Sequence, residues 1–304
     1  MSTFKIAEKY VQSIRKTHSE QVVLRTQSRL SQFLKIANEN GLDLININKD
    51  EAVTIVENMS IMGHSYLSDV DNTLVRFLNW CHKNEYRENE TIARFDYDEI
   101  DLSKSIGRTH FKNAADFASF LDKYYEPLSA NLIENSHRTF LWLLYLGVNT
   151  KDVLTVMKQD VVLNKSNHYI IYKNNKINIP SEALRTFEYA IDAHSFVKTF
   201  RNGYKIIEYT NPNTLVGYSG GRPFNTIQHY INLKELEPID KGKLRFNIVI
   251  RSGLYFRMYL KEQSNQKLDY LEIVQDGSHD MRYYRRLEKY LINDYRDWKR
   301  AFNL

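Results

Sequence analysis

The chain is short of the residues that break regular structure: 11 glycines and 5 prolines are spread over 304 positions. A sandwich or barrel needs turn signals about every 8–12 residues. A disordered chain would be richer in proline and poorer in apolar residues, which here reach 42%. The expectation is a mainly α protein with real cores. At roughly 150 residues per domain, the length predicts two domains.

Apolar spacing places the first helices. Phe4, Ile6, Ala7, Tyr10, Val11 and Ile14 predict a helix over residues 4–15. Val23, Leu30, Phe33, Leu34 and Ala37 predict a second over 19–40, stopped by Asn40-Gly41. Asp50 is expected to cap a third, and Leu67 to Cys81 fill a fourth between Ser65 and Lys83. Residues 1–90 thus read as an all-α domain. Residues 91–109, flanked by Arg87-Glu88-Asn89-Glu90 and containing Asp96 to Asp101, carry no sustained period and read as a linker.

The second domain, 110–304, begins with helices over Asn113–Tyr125 and Ser136–Leu146, then one or two helical turns over Asp152–Lys158. Asp160–Leu163, His168–Tyr172 and Ile177–Pro180 predict a small three-stranded antiparallel sheet, with Lys173 to Lys176 as its turn. From Ser181 the chain reads as helical again, interrupted by an irregular polar stretch from Thr210 to Arg222. Met281 to Arg300 reads as an amphipathic helix that either docks on a second copy or packs on its own domain.

Charge and cysteine narrow the setting. A net charge of +5 is a mild bias that fits a nucleic-acid partner without requiring one. The single cysteine, Cys81, excludes an intrachain disulfide and any Cys/His metal spacing. Gly217 to Pro223 lacks the Lys-Ser/Thr of a phosphate loop. No cofactor and no metal are expected. With neither an apolar leader nor a run of about 18 apolar residues, a soluble, cytoplasmic protein with no membrane association is expected.

The most informative segment is Leu146-Gly147-Val148-Asn149-Thr150-Lys151-Asp152-Val153. It resembles the first active-site box of the tyrosine recombinases, the phage integrase family. That box usually reads Thr-Gly-Leu-Arg, two residues, then Glu and an apolar residue. The order of elements along the whole chain also resembles the family: a helical core-binding domain, then helices, a three-stranded meander and helices. The resemblance implies an α+β catalytic-fold second domain and a C-shaped grip on duplex DNA.

The same resemblance identifies degenerate active-site positions. Asn149 stands where the family has its first arginine. Lys173, with Lys176 next, matches the hairpin lysine. In Ile248-Val249-Ile250-Arg251, Arg251 matches the second arginine and Ile248 replaces a histidine. In Asp276-Gly277-Ser278-His279, Ser278 aligns with another histidine, or His279 itself does after a slip of one residue. No tyrosine keeps register: Tyr283 and Tyr284 come early and Tyr290 late. Strand transfer needs charge stabilisation on a phosphate oxygen and a positioned nucleophile. A neutral amide at 149 supplies no charge. The reading is that the chemistry is lost and no catalytic residue remains.

Candidate DNA contacts follow from residue type and place. Arg25, Gln27 and Arg29 lie near the start of the second helix, and Arg76 on the fourth; Arg and Gln are the side chains that read guanine and adenine. Each could equally line a solvated helix face. Lys243 and Arg245, in the basic stretch Lys241 to Asn247, precede the helix of Arg251, and are either phosphate ligands or an ordinary charged connector. Lys173 and Lys176 are turn lysines with the same two readings.

Taken with the resemblance, these residues imply a sequence-specific DNA-binding protein, a transcriptional repressor that maintains prophage lysogeny by occupying operator sites. The alternatives are an active or partly active recombinase with a divergent site, and an accessory DNA-architecture protein.

Overall fold

The computed structural model describes residues 2–89, 95–125, 133–164, 166–200, 203–218, 236–269 and 284–304. The chain forms two compact units. The first holds residues 1–108 together with 285–304, the second residues 109–284.

In the first unit, α1 (Thr3–Arg15), α2 (Glu20–Glu39), α3 (Lys49–Glu57) and α4 (Leu67–Lys83) follow the apolar spacing closely. Gly41, at φ 68°, supplies the left-handed residue that ends α2. The cap of α3 is Asn48 rather than Asp50: its side chain accepts the Glu51 amide while Glu51 reaches back to the Asn48 N–H. Val23, Leu30 and Phe33 of α2 and Leu74, Phe77 and Leu78 of α4 form the interior. Tyr10 of α1 lies 5.5 Å from both Phe77 and Trp80. Burial pushes the Cys81 thiol up to about 12, as expected of a structural cysteine.

The stretch read as a linker is part of this unit. Phe95, Ile100, Leu102 and Ile106 are buried, and α5 (Ser103–Thr109) is helical. Arg87 is also buried, and donates to the carbonyls of Ile45 and Ile47. Its charge marks a satisfied loop rather than solvent.

The last helix, α11 (Tyr284–Phe302), belongs to this unit too. Trp298 is fully buried and Tyr295 nearly so. The buried residues of α11 belong to the first unit, whereas the sequence predicts the helix in the second domain.

The second unit is built around α7 (Ile133–Leu146), in which every residue from Asn135 to Leu146 is buried. A helix buried on all sides is the centre of a fold. Around it lie α6 (Ala114–Tyr124, capped by Asn113), α8 (Leu184–Asp192), α9 (Pro238–Lys243) and α10 (Phe246–Gln263). Gly253 lets α10 approach α7 very closely: a Cβ there would stand 1.8 Å from the Tyr145 carbonyl oxygen.

The three-stranded sheet is β1 (Val161–Leu163), β2 (His168–Tyr172) and β3 (Asn175–Asn178), all antiparallel in that order. The β2–β3 turn is tighter than expected. Tyr172 pairs Asn175, leaving Lys173 and Asn174 as the turn, at φ 49° and 63°. Two left-handed residues are what a type I′ hairpin requires. A second sheet, β4 (Ser195–Phe200) with β5 (Gly203–Glu208), occupies sequence expected to be helical.

Candidate functional site

The box at Gly147 is first of all a helix stop. Gly147 has φ 99°, its N–H donates to the Leu144 carbonyl, and the Val148 N–H donates to Leu143. This is a Schellman end to α7. Arg257 of α10 completes it: Nη1 donates to the Tyr145 carbonyl at 2.5 Å. A Cβ on residue 147 would stand 2.8 Å from Arg257 Nη2. A cation at a helix C-terminus also meets the negative end of the dipole.

The chain then turns tightly. The Asn149 carbonyl accepts the N–H groups of Asp152 and Val153, and its side-chain oxygen accepts the Lys151 N–H at 2.9 Å. Asn149 thus serves its own loop, as short amides do in turns.

Four residues of the box and hairpin meet. The Tyr172 hydroxyl donates to Asp152 Oδ2 at 2.5 Å and accepts the Asn149 N–H at 3.3 Å. Lys173 Nζ lies 3.0 Å from the same Asp152 oxygen and 5.0 Å from the Tyr172 ring centroid. The hydrogen bonds to Tyr172 and Asp152 hold the Lys173 ammonium above its ordinary range. Burial, followed by the Asp152 carboxylate, raises the Tyr172 phenol. The sequence marked Asn149, Lys173 and the acidic position 152. It did not mark Tyr172, whose register on β2 appears only once the strands pair.

The second arginine position lies on α10. Arg251 is half-buried. One turn earlier, Ile248 is wholly buried in the apolar interior. Between them in role is Ser252, whose hydroxyl accepts the Phe111 N–H at 3.0 Å and donates to the Ile248 carbonyl at 2.8 Å. No proton-transfer group stands at position 248. Ser278 and Tyr283 lie outside the described residues. Tyr290 lies on α11 of the first unit.

The expected basic loop before α10 is mostly α9, followed by Leu244 and Arg245. Lys243 Nζ sits 5.5 and 5.7 Å from the ring centroids of Phe111 and Phe120, a structural cation–π position. Arg245 precedes α10 and is exposed. Lys176 is exposed on β3 with Nζ 4.5 Å from the Tyr169 ring centroid.

In the first unit, Arg29 is pinned. Nη2 lies 2.7 Å from Asp69 on α4, and burial lowers its pKa despite that carboxylate. Arg25 reaches the same carboxylate at 3.6 Å but stays largely exposed. Gln27 and Arg76 are exposed. Arg25, Gln27 and Arg76 therefore present surface polar groups, and Arg29 positions α2 against α4.

Among the described residues, no cluster of three or more His, Cys, Asp or Glu could hold a metal ion, and no helix is long and apolar enough to cross a membrane. No protein-family model matches the chain, and no curated protein matches it significantly.

Proposed function

We propose that this chain binds double-stranded DNA through an integrase-like body that performs no strand cleavage. It acts as a transcriptional repressor, of the kind that maintains SPβ-type prophages in lysogeny. The observation that carries the loss of chemistry is Ile248. At the position where the resemblance calls for a histidine, an aliphatic side chain is packed into the core, and neither general acid nor base can act from there. The Asp152–Tyr172–Lys173 cluster supports the same reading, since the hairpin lysine already has a carboxylate partner. The DNA half of the proposal rests on the order of elements, the net charge of +5 and the exposed cations Arg25, Arg76, Lys176 and Arg245. Genomic footprinting tests it: discrete protected operator sites are expected, and uniform or absent protection refutes it.

One observation favours a second reading, a divergent but partly active recombinase. The Arg257 guanidinium lies against Gly147, beside the box that lacks its arginine. Suicide DNA substrates separate the two, because a covalent tyrosine–DNA adduct means an enzyme and its absence a binding protein.

A further inference from the structure

We propose that the β4–β5 ribbon is a DNA-binding arm that enters a groove of the duplex. The inference rests on the DNA-binding reading above and adds an element that the recombinase-like site does not include.

Among the described residues, the ribbon's buried anchor lies at its base. Phe196 and Ile207 pack with Ala193 and Tyr209 in a small cluster of their own. Beyond it β5 is exposed: Tyr204 keeps 76% and Ile206 58% of their surface accessible. A two-stranded hairpin with so little burial is marginal in water, and exposed large apolar side chains add nothing to its stability.

Its charge pattern adds a further cost. The register sets Lys198 directly opposite Lys205. Like charges at directly opposed positions destabilise a ladder. From Ser195 to Ile207 the sequence contains Lys198, Arg201 and Lys205 and neither Asp nor Glu. The first acid, Glu208, pairs with Ser195 at the anchored end. The sequence places no acid next to either lysine in the ribbon, whereas a polyanion would neutralise the pair.

The dimensions fit. Six-residue strands span about 20 Å at roughly 3.3 Å per residue, and a major groove about 12 Å wide admits a two-stranded ribbon. Alternation puts Tyr204 and Ile206 on one face and Lys205 on the other. The apolar face suits base edges such as thymine methyl groups. Lysine stems are long enough to pass the ribbon edge and reach phosphates.

The test is fluorescence anisotropy of the full-length chain on a fluorescein-labelled random-sequence duplex over a salt series. The double variant Lys198→Gln/Lys205→Gln is expected to bind about tenfold more weakly at low salt. Its log–log salt slope should be shallower by about 2, at about 0.9 per lost phosphate contact. Lys198→Arg/Lys205→Arg should retain binding, and Tyr204→Ala should weaken it severalfold. Because the glutamine pair relieves cross-strand repulsion, its melting temperature should match or exceed that of the parent. A lower melting temperature refutes the repulsion argument and the proposal with it. A folded glutamine variant with parental affinity and slope overturns the arm but leaves DNA binding standing. Failure of the parent chain to bind duplex at low salt overturns both. If Tyr204→Ala/Ile206→Ala turns an oligomer into a monomer with DNA affinity intact, the ribbon joins two copies and the proposal falls.

Discussion

Asp297 and His64 meet in the interior of the first unit: Oδ2 and Nε2 are 2.8 Å apart and neither side chain has exposed surface. The Leu102 N–H donates to the same oxygen at 3.0 Å, and the His64 N–H donates to Asp294 at 2.6 Å. Arg296 and Arg300 lie 3.4 and 3.5 Å from the other Asp297 oxygen. This network fastens α11 to the first unit.

Removing the carboxylate leaves buried donors without an acceptor. Asp297→Ala is expected to cost about 3 kcal/mol at neutral pH, at about 1–3 kcal/mol per orphaned group. Burial works to raise the Asp297 pKa, but the His64 and Leu102 hydrogen bonds and Arg296 outweigh it, so the folded value is depressed. Its contribution is then full above the unfolded pKa and is lost as pH falls through the folded one. Urea melts of parent and variant should therefore converge in acid and differ most near neutrality. A gap that widens in acid would contradict this.

Trp298 should behave as a core residue of the first unit. Trp298→Ala is expected to destabilise by about 3–5 kcal/mol. Hydrogen exchange then locates the effect: protection should fall in α1 to α5 and α11. Loss confined to the second unit would refute the assignment of α11.

Gly253→Ala tests the close approach of α10 to α7. Its new methyl collides with backbone rather than a flexible side chain, so α7 and α10 must separate. The expected loss is about 3 kcal/mol or more, at the upper end for overpacking. An unchanged thermal midpoint would exclude the contact.

Asp152→Asn tests whether Lys173 faces DNA. The pair is partly exposed, so stability should change by about 1 kcal/mol or less. Removing a carboxylate near the lysine should tighten nonspecific duplex binding about fivefold, on the order of 1 kcal/mol in water. Anisotropy titrations decide it, and weaker binding would show the cluster to be purely structural.

Arg251→Ala should weaken operator binding by about 1–3 kcal/mol, as for a charge-assisted contact to nucleic acid. Paired melting curves separate this from unfolding. A folded variant with parental affinity would mean that the surface around α10 does not hold DNA.

The sequence by itself determined the helices α1 to α4, α6 and α7, the end of α7 at Leu146 and the three-stranded sheet, because period and turn chemistry are local properties. The residues Asn149, Lys173, Ile248 and Arg251 were equally readable as positions. Only the tertiary structure decided their partners. Asn149 turned inward to its own loop, Lys173 to Asp152, and Ile248 into the core. Residues 95–108 looked like a linker because Phe95, Ile100, Leu102 and Ile106 follow no regular period, yet long-range packing buries them. The β4–β5 ribbon escaped notice for another reason: Tyr204, Lys205 and Ile206 are exposed in succession, so along them no buried side imposes alternation. The unit to which α11 belongs depends on His64, more than 200 residues earlier in the chain, and no local pattern encodes a partner at that distance.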